Sequence, residues 1–190
     1  MLKILYKVID ESIENFSLAF LPLEVQNHLN QIQQKDRKKQ SIYAWFLLNK
    51  LVNQTFHKNL SDYTFHYNEN GKPEFKEFFV SLSHSFDVCA VGLSDKEVGI
   101  DIEKKRPLPQ MEALKERLCG SKQITDDEFF FAFTKVESVV KAKGLKLGYH
   151  LDKINLKLDN TKSKKIEIEN QIFYLSYYSK NEIVEIGGNV

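Results

Sequence analysis

The sequence contains only two cysteines, Cys89 and Cys119, which is too few for a disulfide framework. Their spacing does not match a metal-binding motif either. The opening residues, MLKILYKVIDESIENF, are broken up by charges and lack the apolar stretch of a secretory signal. We therefore expect reduced thiols and a cytoplasmic protein.

The sequence also has almost no net charge and no long apolar run. Its 27 Lys and Arg residues nearly balance 26 Asp and Glu residues, for a formal charge of +1. A nucleic-acid-binding domain usually carries a clear basic excess, and a membrane-spanning helix needs about 20 apolar residues. We expect no nucleic acid and no membrane as partner, so any charged partner must meet a local patch.

Several catalytic motifs are missing as well. The sequence contains no GxSxG nucleophile motif, no HExxH metal motif and no glycine-rich phosphate loop followed by Lys and Ser or Thr. An enzyme with this sequence is therefore expected to position phosphates and a metal ion rather than to form a covalent intermediate.

Apolar periodicity predicts strands and helices in alternation, typical of an α+β protein whose two halves meet near residues 95–105. Helices are predicted over residues 35–53 and 124–144, the second beginning with a Thr125–Glu128 capping box and ending near Gly144. Strand candidates precede, separate and follow them: residues 2–9, 63–67, 79–83, 88–93 and 98–103, with several after residue 153.

The segment GIDIE places two carboxylates on one face of a predicted strand. Side chains alternate along a strand, so Asp101 and Glu103 share a face while Ile100 and Ile102 point into a core. Two neighbouring carboxylates repel each other unless a cation lies between them. Hard cations such as Mg²⁺ prefer oxygen ligands, and Glu137, on the second helix, is the best third carboxylate.

These acids also have a simpler interpretation. Asp101 and Glu103 could be solvated positions on an edge strand. Glu137 and Lys141 could be an ordinary exposed helix pair, within a polar stripe that begins at Thr134. Neither feature alone predicts a function.

Two further segments carry polar side chains of interest. Ser83, His84 and Ser85 are predicted where one strand ends, a place where hydroxyl groups and an imidazole can bind a phosphate. The segment NENGKPEF predicts a turn that presents Lys72 outward. Taken alone, each segment more often consists of exposed surface residues without a binding role.

Taken in order, GKP at 71–73, SLSHS at 81–85, VGIDIE at 98–103 and FTKVESVVKAKGLKL at 133–147 resemble a motif series of 4'-phosphopantetheinyl transferases. This family includes the holo-acyl-carrier-protein synthases, and the likeness is to its larger, pseudo-dimeric class. That class has GKP, xSHS preceded by Asn or Ser, GxDxE, and a helix with Trp-Ser/Thr-x-Lys-Glu-x-x-x-Lys.

The resemblance implies two similar α/β halves, residues 1–97 and 98–190, with the active site in the cleft between them. It implies transfer of the 4'-phosphopantetheine group of coenzyme A to a serine of an acyl or peptidyl carrier protein, with release of adenosine 3',5'-bisphosphate. One complete site within one chain implies a monomer.

The resemblance also assigns site residues. The first half would contribute most contacts to coenzyme A, and the second half the metal ligands. Glu137, or a water that it orients, would accept the proton of the carrier serine. The ligands of Mg²⁺ would be Asp101, Glu103 and Glu137, and the contacts to coenzyme A would be Lys72, Ser83, His84 and Lys141, with Arg37 as a further candidate.

The sequence departs from the family pattern at two positions. Phe133 replaces the usual Trp, and Val136 replaces the Lys before the glutamate. Lys135 is adjacent but about 100° away around the helix, so it is not a simple replacement. These changes favour, as an alternative, a catalytically silent module that binds coenzyme A or a carrier protein. A metal-dependent phosphohydrolase that uses the three acids is a third possibility.

A basic rim is expected to attract an acidic carrier protein. The candidates lie close in sequence to the predicted site: Lys104, Lys105, Arg106, Lys143 and Lys146. A merely soluble lysine-rich surface would have the same composition.

Overall fold

The structure is a computed structural model that describes residues 1–9, 16–145, 158–181 and 183–188. Two short 3-10 helices, Leu18–Phe20 and Leu60–Asp62, accompany the main elements. The strands are β1 (Leu2–Val8), β2 (Phe65–Tyr67), β3 (Pro73–Phe75), β4 (Phe79–Ser85), β5 (Val88–Ser94), β6 (Val98–Lys104), β7 (Thr161–Ile168), β8 (Gln171–Ser179) and β9 (Val184–Gly187). The helices are α1 (Leu23–Gln31), α2 (Lys35–Phe56), α3 (Met111–Cys119) and α4 (Asp126–Ala142).

The first sheet has the strand order β4-β5-β1-β9 and packs against α2. Its β4, β5 and β1 are antiparallel, whereas β9 lies parallel to β1. The buried stripe predicted for α2 is confirmed, since all five of its members are buried: Ala44, Leu47, Leu48, Leu51 and Val52. The protein core on this side therefore lies between the helix and the sheet.

The second sheet has the strand order β6-β8-β7 and is antiparallel throughout. Ile100 and Ile102 of β6 are fully buried beside Leu2 and Ile4 of β1, in a core that joins the two sheets. This confirms the predicted alternation of GIDIE. β2 and β3 form a separate hairpin, with Tyr67 paired to Pro73.

The two sheets share one connectivity. In the first sheet, β1 is followed in the chain by the long helix α2 and then by the antiparallel hairpin β4–β5, and β1 pairs with β5. In the second sheet, β6 is followed by the long helix α4 and then by the hairpin β7–β8, and β6 pairs with β8. β9 departs from this repeat, because it adds to the first sheet from the end of the second half. The mixed α+β class predicted from sequence is confirmed.

Some predicted boundaries shift. The strand expected over 79–83 continues to Ser85, so Ser83, His84 and Ser85 lie within β4 and not at a strand end. The strand expected over 63–67 begins only at Phe65. None of the helices in the described ranges combines the length and apolar character that a bilayer span requires.

Side-chain hydrogen bonds cap the start of α4 and hold the helix against the second sheet. Thr125 Oγ1 accepts the Glu128 N–H, and the Glu128 carboxylate accepts the Thr125 N–H, so the predicted capping box is confirmed. The predicted polar stripe, however, is wrong at Thr134. That residue is buried, and its hydroxyl lies 2.6 Å from the hydroxyl of Ser176 on β8. It anchors the helix to the sheet instead of lining a cleft.

Gly99 lets α4 approach β6 closely. A Cβ at this position would lie 1.8 Å from the Ser138 carbonyl oxygen and 2.5 Å from the Ala142 nitrogen. Both are backbone atoms of the helix, so they cannot turn aside. The glycine of GIDIE thus fixes how near α4 lies to the carboxylates of β6.

Gly99→Ala is expected to lower the free energy of unfolding by about 3 kcal/mol or more, since the whole helix must shift to make room. Chemical denaturation measures this loss. Gly92→Ala on β5 is the matched control, because its nearest contact is the flexible end of the Ile100 side chain. Equal losses in the two variants would contradict the role assigned to the helix contact.

Candidate active site

Three serines of β4 bind the edge of β6 and connect the two sheets. The hydroxyls of Ser81, Ser83 and Ser85 accept the backbone N–H groups of Ile100, Ile102 and Lys104, at 2.9, 3.2 and 3.0 Å. We call these three residues the serine ladder. Their spacing of two places all three hydroxyls on one face of the strand. The serine hydroxyls accept the β6 N–H groups in place of the backbone carbonyls that a neighbouring strand would supply.

The serine ladder also orients the acids of β6. Ser83 Oγ donates to Asp101 Oδ1 and Ser85 Oγ donates to Glu103 Oε2, each at 2.9 Å. Ser83 Oγ accepts in addition from Lys141 Nζ at 2.8 Å. One hydroxyl offers one donor and two acceptor positions, so those of Ser83 are all used. A contact from Ser83 to coenzyme A would have to replace one of these bonds.

Asp101 is buried, with 4% of its surface exposed, which excludes the interpretation as a solvated edge position. Its Oδ1 accepts a hydrogen bond from Lys141 Nζ at 2.7 Å. Its Oδ2 is buried and has no hydrogen-bond partner among the described residues. A buried carboxylate oxygen without a partner is costly, so this atom is suited to bind a cation or a donor from a ligand.

Glu137 lies on α4, one turn before Lys141, and interacts electrostatically with both acids of β6. Burial raises the pKa of the Glu137 carboxyl to about 7, with help from the charges of Asp101 and Glu103 and against the opposing charge of Lys141. The three predicted carboxylates therefore come within electrostatic reach of one another. A carboxyl group that titrates near neutral pH can accept a proton during a reaction.

Two of the three acids form ion pairs with neighbouring side chains. Lys141 pairs with Asp101, and Arg106 donates to Glu103 Oε2 at 2.7 Å. Among the described residues, no three Asp, Glu, His or Cys side chains stand close enough to enclose a metal. The oxygen donors and the unpaired Asp101 Oδ2 suit Mg²⁺, but shared ligation requires Lys141 and Arg106 to turn away.

A cleft of about 220 Å³ lies between the GKP turn, β4 and the end of α4. Its walls include parts of three of the four motifs: Asn70, Gly71, Lys72, Pro73, Val80, Ser81, Leu82, Lys141, Gly144 and Leu145. The arrangement is therefore a meeting point of segments that are far apart in sequence.

Lys72 is not presented outward as predicted. It is half-buried, and its Nζ donates to the Ala142 carbonyl at the end of α4. Desolvation lowers the pKa of its ammonium group, while the charges of Glu97 and Glu74 oppose that shift. Asn70 Nδ2 donates to the Gly144 carbonyl at 2.9 Å, so the whole turn docks on the helix end.

His84 points away from the serine ladder, because side chains alternate along β4. Burial lowers the pKa of its imidazole, the positive charges of Lys141 and Arg37 lower it further, and Asp101 opposes them. The lowered pKa favours the neutral imidazole, and an anion bound beside the ring would favour the protonated form. Arg37 lies exposed in the first turn of α2, within electrostatic reach of His84.

The two departures from the family pattern lie on α4. Val136 is buried, with 9% of its surface exposed, so it packs as a core residue. Phe133 is half-buried and stacks with Phe129 at 5.8 Å between ring centroids. Lys135 is partly exposed.

The predicted basic rim is largely paired with acids. Lys105 binds Asp127, Arg106 binds Glu103 and Lys143 binds Glu97. Lys146 lies outside the described residues. Within the described part of the chain, Lys104 alone of the rim has no ion pair and instead contacts the ring of Phe86.

Sequence reasoning missed the serine ladder and the cations that hold the acids. The alternation of serines in SLSHS was the available signal for the ladder, since a spacing of two marks one face of a strand. Nothing in the sequence connects Ser81 with Ile100. The pairing of Arg106 with Glu103 also had a signal, a spacing of three, but outside a helix that spacing carries little weight.

Comparison with known proteins gives two related sequences. A 4'-phosphopantetheinyl transferase, Sfp, from Bacillus subtilis (strain 168) is 24% identical over 170 residues, which is 83% of this chain and 75% of the relative. A second 4'-phosphopantetheinyl transferase, ffp, from Bacillus subtilis is 21% identical over 164 residues, 80% of this chain and 72% of the relative. No family model matches the chain. The two relatives confirm the similarity that the motif series predicted.

Proposed function

We propose that this protein transfers the 4'-phosphopantetheine group of coenzyme A to a serine of an acyl or peptidyl carrier protein, in a Mg²⁺-dependent reaction. One observation carries the proposal: residues from the SHS segment, from GIDIE and from α4 lie in one cluster. Ser83, Asp101 and Lys141 form hydrogen bonds with one another there. The names of the two relatives support the same transfer. A cytoplasmic monomer fits this function.

The proposed architecture is a pair of similar halves, residues 1–97 and 98–190, related by a pseudo-twofold axis. The shared connectivity of the two sheets supports it. The active site then lies where β4 of one half meets β6 of the other, bridged by the serine ladder. A complete site within one chain follows from this arrangement.

Asp101, Glu103 and Glu137 would hold Mg²⁺, since they supply the hard oxygen donors that this ion prefers. When bound, the ion would neutralise charge on the coenzyme A pyrophosphate and orient it. The unpaired Oδ2 of Asp101 supports the assignment. Ser83 and Ser85 would keep the β6 carboxylates in place for that role.

The chain's own side chains would bind the phosphates and move the proton. Lys141, released from Asp101, would bind a phosphate as a fixed positive charge. Lys72, His84 and Arg37 would add contacts to coenzyme A. Phosphoryl transfer depends mainly on such positioning and neutralisation of charge.

Glu137 would accept the proton of the acceptor serine, directly or through one water. The serine Oγ forms a bond to the phosphorus that carries the pantetheine arm. The bond from that phosphorus to the bridging oxygen breaks, and adenosine 3',5'-bisphosphate leaves.

The alternative is a catalytically silent module that binds coenzyme A or a carrier protein. One observation favours it: a buried valine occupies position 136, where the family pattern has a lysine. Such a module would bind coenzyme A without modifying any carrier.

The deciding experiment is the intact mass of an apo acyl carrier protein incubated with this protein, coenzyme A and Mg²⁺. We expect a gain of one phosphopantetheine that is lost when EDTA is added. Tight coenzyme A binding with no gain on several carriers would favour the silent module. Phosphate release from nucleotides without a protein acceptor would instead indicate a phosphohydrolase.

A further inference from the structure

The turn between β4 and β5 carries an exposed aromatic residue in an unfavourable backbone conformation. Ser85 pairs with Val88, so Phe86 and Asp87 form the turn. Phe86 has φ of 53°, in the left-handed region, and 45% of its surface is exposed. Glycine, asparagine or aspartate is preferred where a hairpin turn needs positive φ. A bulky residue there costs free energy, and its exposed ring gains little from the core.

Two cations from the end of β6 and the residues after it lie against this ring. Lys104 Nζ is 4.7 Å and the Arg106 guanidinium carbon is 5.1 Å from the ring centroid. The turn is also held from the other side, because Gln40 of α2 donates to the Phe86 carbonyl at 2.9 Å. The turn formed by Phe86 and Asp87, which we call the tip, therefore holds an exposed apolar ring next to two cationic side chains.

The tip lies beside the carboxylate cluster. Ser85, the last rung of the serine ladder, precedes Phe86 directly and binds Glu103, which also binds Arg106. A partner that touches Phe86 therefore comes close to the proposed metal ligands.

We propose that Phe86, with Lys104 and Arg106, is a docking contact for the acidic carrier protein whose serine is modified. This inference rests on the proposed function. Charge and position identify the partner, because Lys104 beside the ring has no ion pair among the described residues and the turn adjoins the acids to which the acceptor serine must be brought. An aromatic anchor flanked by cations is typical of the residues that dominate binding energy in interfaces.

The strained backbone gives this proposal a distinctive test, because Phe86→Gly removes the ring and relieves the strain together. We expect the dissociation constant for apo acyl carrier protein, and its KM, to rise about tenfold. Coenzyme A affinity and kcat stay unchanged, and the thermal midpoint does not fall. Fluorescence anisotropy with labelled apo carrier, steady-state kinetics and thermal unfolding measure these three effects.

Phe79→Ala is the matched control for Phe86→Ala. Phe79 is 46% exposed and begins the same strand, at the end remote from the turn. We expect carrier affinity to fall only in the Phe86 variants. Equal carrier affinity in wild type and both Phe86 variants would overturn the proposal, as would an absence of measurable carrier binding to the wild type.

The docking contact and the proposed function fail in different ways. Carrier binding that depends on Phe86, without any gain in carrier mass, would contradict the proposed transferase activity and support the docking contact. Normal transfer with an unchanged KM for the carrier in Phe86→Gly would support the proposed transferase activity and contradict the docking contact.

Discussion

Glu137→Gln is expected to lower the rate of carrier modification by about 10²- to 10⁴-fold, the contribution typical of a positioned acid–base group. Glutamine keeps the size of the side chain but can neither accept the serine proton nor bind a cation as a carboxylate. The loss should appear in single-turnover mass spectrometry at saturating coenzyme A. The folded state should not suffer, because the substitution removes repulsion with Asp101 and Glu103.

Glu167→Gln serves as the control, since Glu167 is an exposed glutamate on β7. It should retain the wild-type rate. Circular dichroism and thermal unfolding establish that the Glu137 variant is folded. A Glu137→Gln protein with the full rate would show that this carboxylate neither holds the metal nor accepts the proton.

Lys141→Met is expected to impair both the fold and the activity, for separate reasons. Asp101 would keep only its bond from Ser83 on Oδ1 and would remain a buried charge without a cation. Leaving a buried charge unpaired typically costs about 3 kcal/mol, although Lys141 is itself 31% exposed, which moderates the loss. Carrier modification should be lost, because no fixed cation remains beside the phosphates. Chemical denaturation and intact mass measure the two effects.

The double variant Lys141→Met with Asp101→Asn separates these reasons. Neutral asparagine removes the unpaired charge, so most of the lost stability should return while carrier modification stays absent. If the double variant is no more stable than Lys141→Met, the ion pair is not the source of the loss. If it modifies carrier protein at the wild-type rate, neither side chain belongs to the active site.

The local parts of the fold could be predicted from the sequence. The capping box at Thr125 and the alternation of Ile100 and Ile102 follow from rules that act within a few residues. The end of β4 could not be read this way, because its last residues hold their strand conformation by pairing with β5 and by binding β6. Tertiary contacts there extend the strand beyond its apolar pattern.

The same division applies to the candidate site. Motif positions were enough to single out Asp101, Glu137 and Lys141, which the fold then brings together. Their protonation and partners depend on distances across the two sheets, which no local pattern contains. Lys72 shows this clearly, because a lysine in a turn looks exposed until the turn docks on the end of α4.

β6 lies at one margin of its sheet, and among the described strands only β8 is hydrogen-bonded to it as a neighbour in the sheet. An uncovered row of N–H groups at such a margin recruits strands from other molecules and promotes aggregation. Here the hydroxyls of the serine ladder occupy those groups. The residues that orient the acids therefore also fill the hydrogen-bonding positions through which β6 would otherwise be open to a strand from another molecule.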